Sequence, residues 1–231
     1  REVFPATLQA ALLAFPADQD VQLAGCRALQ SFHCDSIAPP AVVVNFGKLL
    51  VQALERWLED RKFCVKMMKY CVHFCGESTV IKQQLSTKQS IDIFLALMRK
   101  HVEHLSLMKL CFRLIFHLCG GSGGEEAQTQ LSVGGVGDLL LTLLVAHHSN
   151  REVVSLVCKA IVSLCMNKNL ANIYNFGSFP SMQKYFFVIK ANSQDAHICS
   201  SVSFALLGVL SLGRDVLLEG LQTQPFALEL K

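Results

Sequence analysis

"VVSLVCKAIVSL", Val153–Leu164, places apolar residues at steps of three and four, the spacing of one face of a buried helix. Four further stretches lie over it: "VQLAGCRALQSF" from Val21, "FCVKMMKYCVHF" from Phe63, "LMKLCFRLIFHL" from Leu107 and "SVSFALLGVLSL" from Ser201. Successive copies are 42, 44, 46 and 48 residues apart, and each ends in Ser or His followed by a large apolar residue. Three residues before that end stand Leu29, Cys71, Ile115, Ile161 and Val209, all apolar. The first column is apolar as well, except for Ser201.

Working outward, each copy follows a second helical run: "TLQAALLAF", "FGKLLVQALERWL", "IDIFLALMRKHV", "VGDLLLTLLVAHH" and "SMQKYFFVIKA". Short polar turns separate the two runs, at Pro16–Asp20, Glu59–Lys62, Glu103-His104, Ser149-Asn150 and Asn192–Asp195. Shorter segments such as "STVIKQQLST", "EEAQTQLSV" and "NKNLANIYNF" precede most copies. No stretch keeps up a strand-type alternation. The expected fold is all-α, with three helices in each unit of roughly 40–47 residues, the range of HEAT and armadillo repeats. The repeats are placed at 1–34, 35–76, 77–120, 121–166 and 167–213 of a single domain, with 214–231 starting a truncated or capping repeat. The abrupt first and last residues read as those of a fragment of a longer protein.

"LSVGGVGDLLLTLLVAHHSNREVVSLVCKAIVSLC", Leu131–Cys165, resembles an armadillo repeat. It has glycines between a short first helix and a second (Gly134, Gly135), a Leu-rich second helix, an Asn-containing turn before Val, and a small-residue third helix ending in Leu. Gly47 and Gly177 take the equivalent glycine position in two other copies. The resemblance covers nearly the whole chain and implies a right-handed α-solenoid of about five repeats, whose third helices line a concave binding face. "AFPADQDVQLAGCRAL" is also similar to armadillo units associated with leucine-rich repeat kinases, a likeness carried by one repeat.

In peptide-binding members of the armadillo family a third-helix Trp is followed four residues later by an Asn that holds the peptide backbone. Here the Asn column reads Ser31, His73, His117, Ser163 and Ser211, and the Trp column reads Arg27, Lys69, Arg113, Lys159 and Leu207. The ladder of the nuclear-import receptors is missing, so the resemblance does not imply capture of a basic localisation signal. Four successive basic side chains stand in its place. The candidate partner-binding residues are Arg27, Ser31, Lys69, His73, Arg113, His117, Lys159 and Ser163, a basic strip suited to an acidic or phosphorylated protein segment. A solvated helix face is the competing account of the same column. The expected function is a non-catalytic interaction scaffold, binding another protein or another domain of its own chain; the alternative is a structural or regulatory spacer in a larger, kinase-like multidomain protein.

Composition narrows the classes. Apolar residues make up 52% and charged residues 17%, so a large core is available and disorder is disfavoured. A net charge of +3 is too small to imply nucleic-acid binding. The longest run free of Lys, Arg, Asp and Glu, "AHICSSVSFALLGVLSLG" from Ala196, falls short of the ~20 residues that span a bilayer. Broken by His197 and four serines, it reads as a buried helix of a soluble domain. The N-terminal residues lack the basic start and cleavage site of a signal peptide. With those of the ten cysteines that the repeat places read as core or helix-end residues, a reducing cytoplasmic or nuclear compartment is expected.

Local motifs add little chemistry. "KYCVHFCG", Lys69–Gly76, groups Cys71, His73 and Cys75, but two residues of helix turn Cys71 and His73 about 200° apart, so no metal site is expected. "CGGSGGEE", Cys119–Glu126, lacks the Lys-Ser/Thr and the preceding strand of a phosphate loop and reads as a connection. His147-His148 reads as a surface pair, Trp57 as packing with Leu54, and the aromatics of "FPSMQKYFF" from Phe179 as buried. No nucleophile–base pair stands out; no catalytic residue, cofactor or metal is expected.

Overall fold

A computed structural model of the protein describes residues 3–30, 40–121 and 123–214, and the side chains at 3–5, 40 and 41 lie outside the description. These residues form thirteen α-helices and no strand. Five are third helices of the repeat: α2 (Gln19–Gln30), α4 (Arg61–Glu77), α7 (Leu105–Cys119), α10 (Arg151–Cys165) and α13 (Ala196–Leu212). Each follows a second helix: α1 (Val3–Ala14), α3 (Pro40–Arg56), α6 (Lys88–Lys100), α9 (Val136–Ala146) and α12 (Phe179–Ala191). Three short first helices are α5 (Thr79–Leu85), α8 (Glu125–Val133) and α11 (Leu170–Gly177).

The polar turns of the sequence become N-caps. A helix start leaves backbone N–H groups without intrahelical partners, and a short oxygen-bearing side chain satisfies one of them. Asp18 accepts from Val21 N at 3.0 Å, Asp60 from Phe63 N at 3.0 Å, Asn150 from Val153 N at 3.2 Å and Asp195 from Ile198 N at 3.2 Å. His104 holds the same place before α7 without a side-chain cap bond. Two of these groups are also more acidic than an ordinary carboxylate. Asp60 titrates below the usual carboxylate range because it accepts the Phe63 amide and then the Gln19 amide. Asp195 does so first through Arg151. Those contacts tie successive repeats within each unit: Gln19 Nε2 reaches Asp60 at 3.1 Å, and Arg151 Nε reaches Asp195 at 2.7 Å.

The helices divide into two compact units, separated in sequence between Gly134 and Gly135. The division falls inside the fourth repeat, between its short helix and its second helix. Gly135 sits at φ 75, in the left-handed region where a side chain is strained. Unit 1 packs α1–α8 around Leu50, Leu54, Phe63, Met67, Met68, Phe74 and Phe112, all fully buried. Unit 2 packs α9–α13 around Leu140, Val157, Ile161, Phe176 and Tyr185. The column Leu29, Cys71, Ile115, Ile161, Val209 is buried throughout. The Tyr185 hydroxyl is buried with no hydrogen-bond partner among the described residues, and burial pushes its pKa well up.

Three expectations need correction. Gly47 is not in a turn; it lies inside α3, where an added Cβ would stand 2.7 Å from Gln84 Cβ, so glycine there lets α5 approach closely. The Ala196 run is helical but only half buried: Ile198, Val202, Ala205 and Val209 form its covered stripe, while Phe204 and Leu207 are 58% and 65% exposed. In "FPSMQKYFF" only Tyr185 of the aromatics is buried, and Phe179, Phe186 and Phe187 face outward. Apolar composition names helices with much to bury; it does not say that a neighbour covers every face. Trp57 lies just beyond α3 and packs against Phe63, ring centres 4.5 Å apart.

Candidate functional groove

The basic column of the sequence opens onto grooves between neighbouring third helices. In unit 1, α2 and α4 enclose a cleft of about 450 Å³ lined by Asp20, Leu23, Ala24, Arg27, Gln30, Lys66, Lys69 and Tyr70. Arg27, Lys66 and Lys69 are exposed and Tyr70 is half-buried. Three cations thus face one cleft in which Asp20 is the single carboxylate among the described residues. Helix spacing explains the grouping: Lys66 and Lys69 are three residues apart on one face, opposite the buried Met67, Met68 and Cys71. Lys66 and Tyr70 are additions to the sequence-derived set. The i, i+3 spacing of Lys66 from Lys69 was the available signal for the first.

Arg113 is exposed on α7 in the same column. His73 and His117 are half-buried. The His73 ring lies edge-on to Phe74 with centres 5.3 Å apart, and His117 lies beside Gly76. Burial, and after it the charge of Lys82, hold the His117 pKa below its ordinary value. Lys82 itself donates to the Gly120 carbonyl.

In unit 2 the corresponding hollow between α10 and α13 is about 290 Å³ and is lined by Ser155, Cys158, Lys159, Ser200, Ser201 and Phe204. Lys159 is exposed there as the one cation of the lining. Ser163 departs from the expected surface position: it is buried, and its hydroxyl donates to the Ala160 carbonyl at 2.8 Å, leaving no access for a partner. Ser31 lies outside the described residues. A further hollow of about 640 Å³ lies elsewhere, between α3 and α6. Two of its charged residues, Lys88 and Asp92, pair with each other at 2.8 Å.

The sulfur chemistry is that of core residues. Eight of the nine described cysteines are buried free thiols, and Cys199 is half-buried. Burial pushes Cys26, Cys75, Cys158 and Cys165 up to about 12 and Cys64 to about 11, which disfavours the reactive thiolate. Cys71 is fully buried while His73 reaches the surface. No three His, Cys, Asp or Glu side chains gather in metal-binding geometry among the described residues. The "CGGSGGEE" loop leads into α8, which starts at Glu125, and Gly121 and Gly123 take left-handed φ values of 70 and 78. His148 Nδ1 lies 3.2 Å from Asn192 Nδ2, and its ring meets Phe187 edge-on. No single described helix is long and apolar enough to cross a membrane.

No protein-family model matches the chain, and no curated protein matches it. Among solved structures, the crystal structure of an engineered protein superposes with a TM-score of 0.67 at 15% identity, over 89% of this chain and 78% of that one. The likeness is one of fold, an all-α, repeat-like helical architecture.

Proposed function

We propose that the protein is a non-catalytic, armadillo-like interaction scaffold, a right-handed α-solenoid whose α2–α4 groove binds an acidic or phosphorylated segment of a protein partner. One observation carries this reading: Arg27, Lys66 and Lys69 line a single cleft in which Asp20 is the only carboxylate among the described residues. Guanidinium and ammonium groups attract carboxylate and phosphate, and the Arg fork adds directional hydrogen bonds. Arg113 continues the same column on α7 and belongs to the same surface. A reducing compartment, cytoplasmic or nuclear, suits eight buried free thiols.

The test is a fluorescence-anisotropy titration of the chain with an extended peptide rich in Glu and phosphoserine, alongside an uncharged peptide of equal length. The acidic peptide is expected to bind and to lose affinity as salt rises, because exposed charges are screened within roughly 8 Å at physiological ionic strength. Equal binding of both peptides, or of neither, contradicts the reading.

A further inference from the structure

The α2–α4 cleft is not uniformly basic along its length. Gln19 Nε2 donates to Asp60, and Cys26 Sγ lies 4.0 Å from Met67 Sδ; both pairs are 41 residues apart. Two contacts at one separation set α2 and α4 parallel and fix which residues stand level across the cleft. Asp20 lies in the first turn of α2, at one end. Leu23 and Ala24 follow one turn further on, and Lys66 faces the stretch between Ala24 and Arg27. Arg27 stands beside Lys69, two turns from Asp20, and Gln30 and Tyr70 complete that end of the cleft.

The two ends offer a ligand different chemistry. One gathers a guanidinium, ammonium groups, a phenol and a side-chain amide, all able to donate hydrogen bonds. Tyr70 is held there against the buried Phe74, with ring centres 6.4 Å and planes 26° apart. The other end presents a carboxylate, which when ionised only accepts. The backbone N–H of Asp20 donates to Asp18 at 3.0 Å, and its carboxylate has no hydrogen-bond partner among the described residues. Between the ends, Leu23 is half-buried and Ala24 exposed, a short uncharged floor. Seven residues of helix separate Asp20 from Arg27, about 10 Å at ~1.5 Å per residue. An extended chain advances ~3.3–3.6 Å per residue, so about three residues bridge that span.

We propose that Asp20 is a specificity-determining residue of this cleft, and that the partner segment is bipolar: a Lys or Arg stands about three residues from the anionic side chain, with apolar residues between. The inference rests on the anion-binding reading of the cleft and adds a second pole to it. Arg27, Lys66 and Lys69 hold the anion, Asp20 holds the cation, and Leu23 and Ala24 meet the apolar residues. A uniformly acidic segment brings a carboxylate against Asp20, and like charges brought together oppose binding. A cation placed next to the anion meets Arg27, Lys66 and Lys69, with the same result.

The test compares two labelled peptides of one composition and charge, Lys-Leu-Ala-phosphoserine-Ala-Leu-Lys and Leu-Ala-Lys-phosphoserine-Lys-Ala-Leu, by anisotropy on the full chain at constant salt. Each is symmetric about the phosphate, so either chain direction is covered. The first is expected to bind at least about fivefold more tightly, the scale of one exposed ion pair gained and one repulsion removed. Asp20→Lys is expected to bring the two affinities together, and Asp20→Asn to move them part of the way, each with a urea midpoint that shows the fold intact. Equal affinities in the unsubstituted chain, or a preference that neither substitution moves, overturn the proposal and leave the anion-binding cleft standing. Failure of both peptides to bind overturns the two together.

Discussion

The α2–α4 groove of unit 1 and the α10–α13 groove of unit 2 occupy the same place in the repeat and differ in chemistry. The first joins Arg27, Lys66 and Lys69; the second has Lys159 among serines, Cys158 and Phe204. In the last repeat the basic column itself becomes Leu207, 65% exposed. The helical period therefore decides which columns reach a groove, and each residue decides what that groove attracts. Charge is concentrated in unit 1, while exposed aromatic and aliphatic surface is concentrated in unit 2.

The comparison breaks first if the buried columns are not shared. Phe112→Ala in unit 1 and Ile161→Ala in unit 2 both remove fully buried core side chains. Each is expected to cost about 2–5 kcal/mol, through lost transfer energy and the cavity left behind, as measured by urea denaturation. A negligible loss at either site would show that its column does not form a core.

Smaller effects sharpen it. Tyr185 keeps a buried hydroxyl with no partner among the described residues. Tyr185→Phe is expected to leave unit 2 unharmed or to stabilise it by about 1 kcal/mol, because an unmade buried hydrogen bond is a cost. Asn150→Ala deletes the cap of α10 and is expected to cost about 1 kcal/mol. Thermal unfolding is expected to come earlier in Asn150→Ala and no earlier, or later, in Tyr185→Phe.

The smallest effect is a pH dependence in unit 1. Burial and the Lys82 charge lower the His117 pKa, so the fold favours the neutral ring. That contribution is complete above the ring's unfolded pKa, near ~6.5, and is lost as pH falls through the lower folded value. His117→Gln is expected to flatten the fall in stability below about pH 6.5, read from urea midpoints across pH. An unchanged slope would remove His117 from the account.

Much of this fold is written in the sequence because period and caps are local. The apolar steps of "VVSLVCKAIVSL" and its four counterparts mark the buried columns, and Asp18, Asp60, Asn150 and Asp195 mark helix starts. The same helical geometry separates buried Cys71 from half-exposed His73. What the sequence conceals depends on neighbours distant along the chain. Gly47 serves close packing against Gln84 inside a helix, and nothing adjacent to it says so. Phe186 and Leu207 look like core residues until their uncovered surroundings are known. Lys66 joins the candidate site because α2 faces α4, and Ser163 leaves it because it bonds inward to Ala160. Ser31 and the segment from 215 onward lie outside the described residues.

The most direct measurement is a matched charge reversal in the two grooves, with the affinity of one acidic phosphopeptide followed by anisotropy. Lys66→Glu with Lys69→Glu in unit 1 is expected to weaken binding at least about tenfold, or about 1.4 kcal/mol, with an unchanged urea midpoint. Lys159→Glu in unit 2 is expected to change it less than about twofold, since a single exposed charge is worth little. Equal losses at both grooves, or no loss in unit 1 with the fold intact, would contradict an anion-binding site between α2 and α4.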